Sequence, residues 1–168
     1  TAYASWTRIF KPQEYQNSSG GLLAPVTGTN YEAGLKAEYF GGALNASFAL
    51  FQLDQENLAK SLPAGDCPTM DACYEAAGEI RTRGLEVELG GELAPGWQAS
   101  AGYTYARSRD KDHQRIFGSP MSTTKPEQLL RLFTTYRLPG ALDKVTVGGG
   151  VNWQSAFYGQ IYSPTVKD

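Results

Sequence analysis

Few side chains in this 168-residue sequence are of types that could catalyse a reaction. His113 is the single histidine, and its charged surroundings, RDKDHQRIFG, favour a solvated loop residue over a catalytic one. Glu86 and Glu88 could be considered for acid–base catalysis. On a strand, however, two residues at this spacing share one face, and we interpret them as lining a polar surface. Since no serine or cysteine lies in a recognisable nucleophile turn, we predict no enzymatic activity.

The two cysteines, Cys67 and Cys73, lie in SLPAGDCPTMDACYEAAGEI, a segment that is rich in proline, glycine and aspartate. Together with Asp66 and Asp71 they could be considered as metal ligands. The pattern C-x5-C lacks a second ligand pair and fits no zinc spacing. We therefore predict a loop disulfide and no metal site, and a disulfide implies an oxidising compartment.

Composition excludes some classes of protein without selecting one. The net charge is -2 and no basic run is present, so nucleic acid is not an expected partner. No stretch reaches the roughly 18 to 20 apolar residues that a membrane-spanning helix requires. TAYASWTRIF does not have the pattern of a signal peptide, so the protein is either cytosolic or lacks the start of its chain. The 10 tyrosines and 19 glycines favour β-structure.

The elements that position these residues are predicted to be strands, because apolar and polar residues alternate with a period of two. Leu85, Val87 and Leu89, for example, alternate with Glu86 and Glu88. Seven such segments occur and no convincing helix: AYASWTRIF, whose facing is ambiguous, NYEAGLKAEYF, LNASFALF, LEVELGGEL, WQASAGYTYA, EQLLRLFTTYRL, in which Phe133 breaks the alternation, and KVTVGGGVNWQ. The sequence therefore predicts an all-β protein.

The connections between these strands alternate strictly between short and long. The short ones are 41–43, 94–96 and 139–143, and the long ones are roughly 11–29, 59–79 and 109–126, with a possible fourth after Tyr158. In an antiparallel up-and-down meander all short turns then lie at one end. A soluble β-sandwich does not sort its links in this way, whereas a transmembrane β-barrel does. We predict that the apolar face contacts lipid, and that an odd count of seven strands marks a fragment of a larger barrel.

Three segments resemble the barrel domain of TonB-dependent ferric-siderophore receptors of Gram-negative outer membranes, above all receptors for hydroxamate-type and pyoverdine-type siderophores. They are PVTGTNYEAGLKAEYFGGALNASFALFQLDQENLA, GEIRTRGLEVELGGELAPGWQASAGYTYA and KPEQLLRLFTTYRLPGALDKVTVGGGVNWQS. The most specific motif is G-E-x-x-x-x-G-x-E-x-E-x-x-G at Gly78 to Gly91. The resemblance implies a barrel of about 22 strands with an N-terminal plug domain. Residues 1–168 would be a seven-stranded part of that barrel, without the plug and the final strands.

The resemblance also implies a function, which is import of a ferric siderophore across the outer membrane with energy supplied through TonB. Its partners would be the siderophore, TonB through the missing N-terminal part, and outer-membrane lipid. The siderophore would hold the iron, so neither a cofactor nor a protein ligand to iron is expected. The candidate siderophore contacts are loop residues, namely Tyr74, Arg115, Phe117, Tyr158 and Tyr162. Two alternatives stay open, a passive porin or adhesin-type barrel and a soluble β-sandwich ligand-binding module.

Overall fold

Seven strands form one antiparallel sheet in the order of the sequence, in a computed structural model that describes residues 1–67, 72–110 and 126–156. The strands are β1 (Ala2–Lys11), β2 (Val26–Tyr39), β3 (Leu44–Ser61), β4 (Tyr74–Ala94), β5 (Trp97–Asp110), β6 (Gln128–Arg137) and β7 (Thr146–Gln154). The predicted all-β, up-and-down meander is confirmed. Among the described residues no helix has both the length and the apolar character to cross a bilayer.

The short and long connections lie at opposite ends of the sheet, as predicted. The short ones join β2 to β3, β4 to β5 and β6 to β7, and two of them contain a single 3-10 turn, at Phe40–Gly42 and Gly140–Leu142. Gly41 has a φ of 66°, in the left-handed region that glycine adopts without strain. We call the end with these connections the turn end, and the opposite end the outer end.

Several strands are longer than the sequence predicted: β2 begins at Val26, β5 extends to Asp110, and β3 and β4 differ most. β3 has 18 residues and β4 has 21, so the predicted loop over 59–79 is wrong at both ends. Ala59 pairs with Ala76 and Ser61 with Tyr74 inside the sheet. The pairing register shifts near Leu58, and Asn57 has a φ of 63°. Because such a bulge interrupts the period of two, the extension carries no regular alternation that could have predicted it.

The pairing register assigns every strand residue to one of two faces, because directly opposed residues point the same way. One continuous row across six strands contains Leu35, Phe48, Val87, Tyr103, Leu130 and Trp153. The adjacent row contains Lys36, Ser47, Glu88, Gly102, Arg131 and Asn152. We call these two sides the apolar face and the polar face. Ala2 pairs with Leu35, which resolves the ambiguous facing of β1 and places Ala2, Ala4 and Trp6 on the apolar face.

The apolar face is exposed instead of packed into a core. Among the described residues the buried apolar side chains are Val26, Ala49, Cys67 and Cys73. Leu35 on β2 is 58% exposed, Leu50 on β3 is 51% exposed and Val151 on β7 is 54% exposed. All described strands belong to one sheet, so none of them covers this face. A contiguous apolar surface of this kind requires contact with lipid or another protein, which contradicts the β-sandwich alternative.

Aromatic side chains border the apolar face at both ends. Tyr39, Trp97 and Tyr136 lie at the turn end, whereas Trp6 and Trp153 lie towards the outer end. Aromatic girdles at two levels are typical of the two interfaces that a transmembrane barrel crosses. At the turn end the indole Nε1 of Trp97 donates a hydrogen bond to Thr134 Oγ1 at 2.8 Å. The predicted contact of this face with lipid thus has the expected aromatic boundaries.

Candidate functional site

On the polar face, polar and charged side chains of neighbouring strands contact one another. The hydroxyl of Tyr3 donates a hydrogen bond to Glu32 Oε1 at 2.7 Å, and the ammonium of Lys36 lies 5.1 Å from the centre of the Tyr3 ring. Gly34 lies directly opposite Tyr3 on β2. A Cβ at Gly34 would come within 2.6 Å of the Tyr3 ring, so glycine is needed for the ring to lie flat on the sheet.

Glu86 and Glu88 lie on this same polar face, as the spacing predicted. Glu88 shares its row with Lys36 and Arg131, and Ser47 Oγ donates to Glu88 Oε2 at 3.4 Å. Carboxylates that alternate with cations on an exposed wall suit a water-filled interior better than proton transfer to a substrate. In the described ranges no three histidine, cysteine or acidic side chains come together as a metal site would require.

The disulfide between Cys67 and Cys73 is present at the outer end, with a Cα–Cα distance of 5.6 Å, and that prediction is confirmed. Cys73 is fully buried. The amide of Leu62 donates to the carbonyl of Cys73 at 2.9 Å, which continues the β3–β4 pairing beyond Ser61. The bridge therefore closes the tip of the longest hairpin in the sheet.

The connection between β1 and β2 is also ordered by specific hydrogen bonds. The side-chain Oδ1 of Asn17 accepts bonds from the amides of Ser19 and Gly21 at 3.0 and 2.9 Å, which fixes a turn. The side chain of Gln13 donates to the carbonyl of Asn57 at 2.9 Å. This connection is thereby anchored to the bulge of β3.

Tyr74 joins these two connections. Its ring lies 4.6 Å from the ring of Tyr15, centroid to centroid, and its amide donates to the carbonyl of Gln16 at 2.9 Å. Tyr74 is the first residue of β4 and not a loop residue as predicted. Tyr15 is a candidate contact that sequence reasoning missed, because no alternation or motif surrounds it.

The other candidate siderophore contacts lie outside the described residues. These are Arg115, Phe117, Tyr158 and Tyr162, and His113 and Asp71 lie there too. Their suggested roles stay predictions. The described part of the candidate site is therefore the unit formed by Tyr15, Tyr74 and the disulfide hairpin at the outer end of the sheet.

Replacing both cysteines with serine should loosen the outer end of this hairpin while the sheet stays folded. The loss of cross-linking should lower the local opening free energy by about 2 kcal/mol, which corresponds to roughly 30-fold faster amide exchange at Leu62 and Tyr74. Hydrogen exchange with mass spectrometry on the full-length protein measures this change. The amide of Val87, far from the bridge, is the internal control. Unchanged exchange at Leu62 would show that the disulfide does not hold this tip.

A single sheet with one lipid-compatible face, one charged face and sorted connections defines a wall segment of a transmembrane β-barrel. The family model described as "TonB dependent receptor-like, beta-barrel" matches residues 1–167, and the chain belongs to this family. Members are β-barrel proteins of the Gram-negative outer membrane, which confirms the predicted family and location.

Individual relatives agree with this assignment. The chain is 43% identical to the ferripyoverdine receptor of Pseudomonas aeruginosa, over 97% of this chain and 20% of the receptor. The crystal structure of that receptor bound to ferripyoverdine superposes with a TM-score of 0.78 at 45% identity, covering 91% of this chain and 20% of the other. The alcaligin outer-membrane receptor of Bordetella pertussis gives a TM-score of 0.73 at 44% identity, covering 92% and 27%. This chain thus spans about a fifth of the length of the curated relative.

Proposed function

We propose that the whole protein containing this chain is an outer-membrane receptor that binds a ferric siderophore and imports it with energy delivered through TonB. The observation that carries this proposal is the family match over nearly the entire chain, on a sheet whose two faces suit lipid and water. Seven strands leave β1 and β7 as edges, and unpaired backbone groups are costly in hydrocarbon. Further strands must therefore close the barrel, and a plug domain would fill its interior.

In this proposal the outer end supplies the first contact with the siderophore. Tyr15 and Tyr74 offer an aromatic surface held in place by the disulfide hairpin and the Asn17 turn. Aromatic rings suit the planar and apolar parts of a small ligand, and a few polar groups fix its orientation. The siderophore itself would hold the iron, so this chain would provide no iron ligand and catalyse no reaction. Nucleic acid has no part in this function.

The pyoverdine receptors among the relatives support one class of siderophore as the ligand. The Pseudomonas aeruginosa receptor is named for ferripyoverdine, and its structure contains ferripyoverdine. We therefore infer a ferric pyoverdine-type siderophore as the ligand. Energy from TonB would act through a part of the protein outside this chain.

A binding titration of the full-length receptor against a panel of ferric siderophores tests this function. We expect saturable binding of one pyoverdine-type ligand and none of an unrelated catecholate at the same concentration. Uptake in cells should stop when the proton-motive force is dissipated, since a passive porin would continue to conduct. Failure of every ferric siderophore to bind, together with uptake that needs no energy, would favour the porin alternative.

Substituting Tyr74 by alanine should weaken binding of that siderophore by about 2- to 10-fold, the usual worth of one aromatic contact. Two matched variants separate contact from folding. Tyr74→Phe keeps the ring against Tyr15 and should bind normally, and Tyr39→Ala removes a ring at the turn end, far from the ligand. Equal affinity of Tyr74→Ala and the unmodified receptor would exclude Tyr74 from the ligand surface.

A further inference from the structure

Four arginines lie side by side beyond the outer edge of the apolar face. They form two directly opposed cross-strand pairs on β4 and β5, Arg83 with Arg107 and Arg81 with Arg109. Leu85 and Tyr105 are the next opposed pair towards the turn end, and they belong to the apolar face. Since side chains two residues apart point the same way, all four arginines project on the apolar side of the sheet. We call them the arginine patch.

Two acidic groups form ion pairs with arginines of the patch. Arg81 Nε lies 2.6 Å from Asp54 Oδ1, and the looser pair joins Arg107 Nε to Glu127 Oε1 at 3.6 Å. Two further carboxylates lie on the same side further out: Glu56 is exposed, and Glu79, two residues before Arg81 on β4, makes an interaction of its own.

Arg83 and Arg109 differ from the other two arginines. Arg83 Nε donates to the neutral amide oxygen of Gln52 at 2.8 Å. Within the part of the chain that the structure describes, neither Arg83 nor Arg109 has a carboxylate at ion-pair distance.

Two adjacent pairs of like charges destabilise the sheet when no anion is bound between them. Directly opposed residues have Cβ atoms about 4.5 to 5.5 Å apart, and like charges at that spacing destabilise the pairing. Successive rows on one face are about 7 Å apart, so the four guanidinium groups surround a small area. An anion between them would relieve the repulsion. Guanidinium groups bind the oxygens of phosphates and carboxylates in a bidentate geometry.

The position of the arginine patch identifies the source of that anion. Long connections of outer-membrane barrels face the outside of the cell, so the patch lies where the apolar face meets the outer leaflet. The aromatic boundary passes through the same level, because Trp6 and Tyr31 share the row of Arg83 and Arg107. Headgroup phosphates lie at this depth, and basic residues at a membrane surface attract anionic lipid. A ligand of the interior would meet the polar face instead.

We propose that the arginine patch binds the phosphate groups of an outer-leaflet lipid headgroup, with Arg83 and Arg107 as the principal contacts. The bound lipid would fix the depth of this wall in the membrane and neutralise the two like-charged pairs. The proposal is independent of which siderophore the receptor carries, and it needs only that the apolar face contacts lipid.

Lipid binding to the full-length receptor in neutral-detergent micelles tests the proposal, with bisphosphorylated lipid A as the probe and native mass spectrometry as the readout. The variant Arg83→Gln/Arg107→Gln removes two charges from the patch. The matched control, Arg131→Gln/Arg137→Gln, removes two charges from the polar face of β6. A heat-modifiable shift in gel mobility checks that each variant is folded. Dephosphorylated lipid A and inorganic phosphate form separate arms.

We expect the unmodified receptor and the control to bind lipid A equally, and the patch variant to bind at least about tenfold more weakly. Dephosphorylated lipid A should not distinguish the folded patch variant from the unmodified receptor, and inorganic phosphate should not compete. Equal affinity of the folded patch variant and the unmodified receptor for lipid A would overturn the proposal. Competition by inorganic phosphate at the same concentration would also overturn it, because the site would then recognise a small anion and not a lipid.

Discussion

Replacing Leu132 with arginine should destabilise the full-length receptor by about 2 to 4 kcal/mol, the cost of a cation near the middle of a bilayer. Leu132 lies on the apolar face between Ala101 and Val151, and its side chain is 44% exposed. In the membrane that exposed surface would touch hydrocarbon, where a guanidinium group loses its hydration. Urea unfolding from phosphatidylcholine vesicles measures the change in the free energy of unfolding.

The adjacent residue provides a matched control for this substitution. Phe133 is a large apolar residue of the same strand with 55% exposure, but it lies on the polar face opposite Gly150. Phe133→Arg should cost much less than Leu132→Arg, since its charge would enter water beside other polar groups. The reverse order of the two losses would mean that the faces have been assigned the wrong way round.

The second large effect is expected at Gly91. Replacing it with alanine should lower the free energy of unfolding of the receptor by about 2 to 4 kcal/mol. Gly91 has a φ of 140°, which disfavours any side chain, and a Cβ there would lie 2.0 Å from the carbonyl oxygen of Ala43. That carbonyl accepts a hydrogen bond from the amide of Glu92 at 2.7 Å, so the backbone cannot retreat without breaking the pairing of β3 and β4. The same urea unfolding experiment measures the loss.

Gly90 is the control for the backbone effect. No atom lies within 4 Å of a Cβ placed at Gly90, and its φ is not in the left-handed region. Gly90→Ala should therefore change stability by no more than about 0.5 kcal/mol. Similar losses at Gly90 and Gly91 would mean that close packing against Ala43 does not constrain this position.

Alternation predicted the middle of the sheet well because each residue there faces either lipid or water. The pattern of Leu85, Val87 and Leu89 against Glu86 and Glu88 agrees with the observed faces of β4. Alternation fails as a predictor where one side of the sheet passes from lipid into water, because both sides then carry polar residues. Gln52 and Arg83, for instance, continue the apolar side of β3 and β4 into a polar environment beyond the apolar face.

Features that depend on contacts between distant parts of the chain could not be predicted from local sequence patterns. Phe133 is an apolar residue at a polar position in the alternation of β6. Its ring lies over Gly150 on the neighbouring strand, where a Cβ would come within 3.0 Å of the Phe133 ring. The contact of Tyr15 with Tyr74 joins residues 59 positions apart, and no local pattern predicts such a contact. The outer-end bulge at Asn57 likewise depends on Gln13 and Pro25 from another connection.

Spin-label accessibility along β4 of the full-length receptor in lipid vesicles is the most direct test of which face contacts lipid. Single labels at Leu85, Val87 and Leu89 should collide mainly with oxygen dissolved in the bilayer, whereas labels at Glu86 and Glu88 should be reached by a water-soluble relaxation agent. Such a two-residue period in accessibility is what the wall of an outer-membrane receptor requires. Equal access of the water-soluble agent to both sets, or the opposite phase, would contradict it.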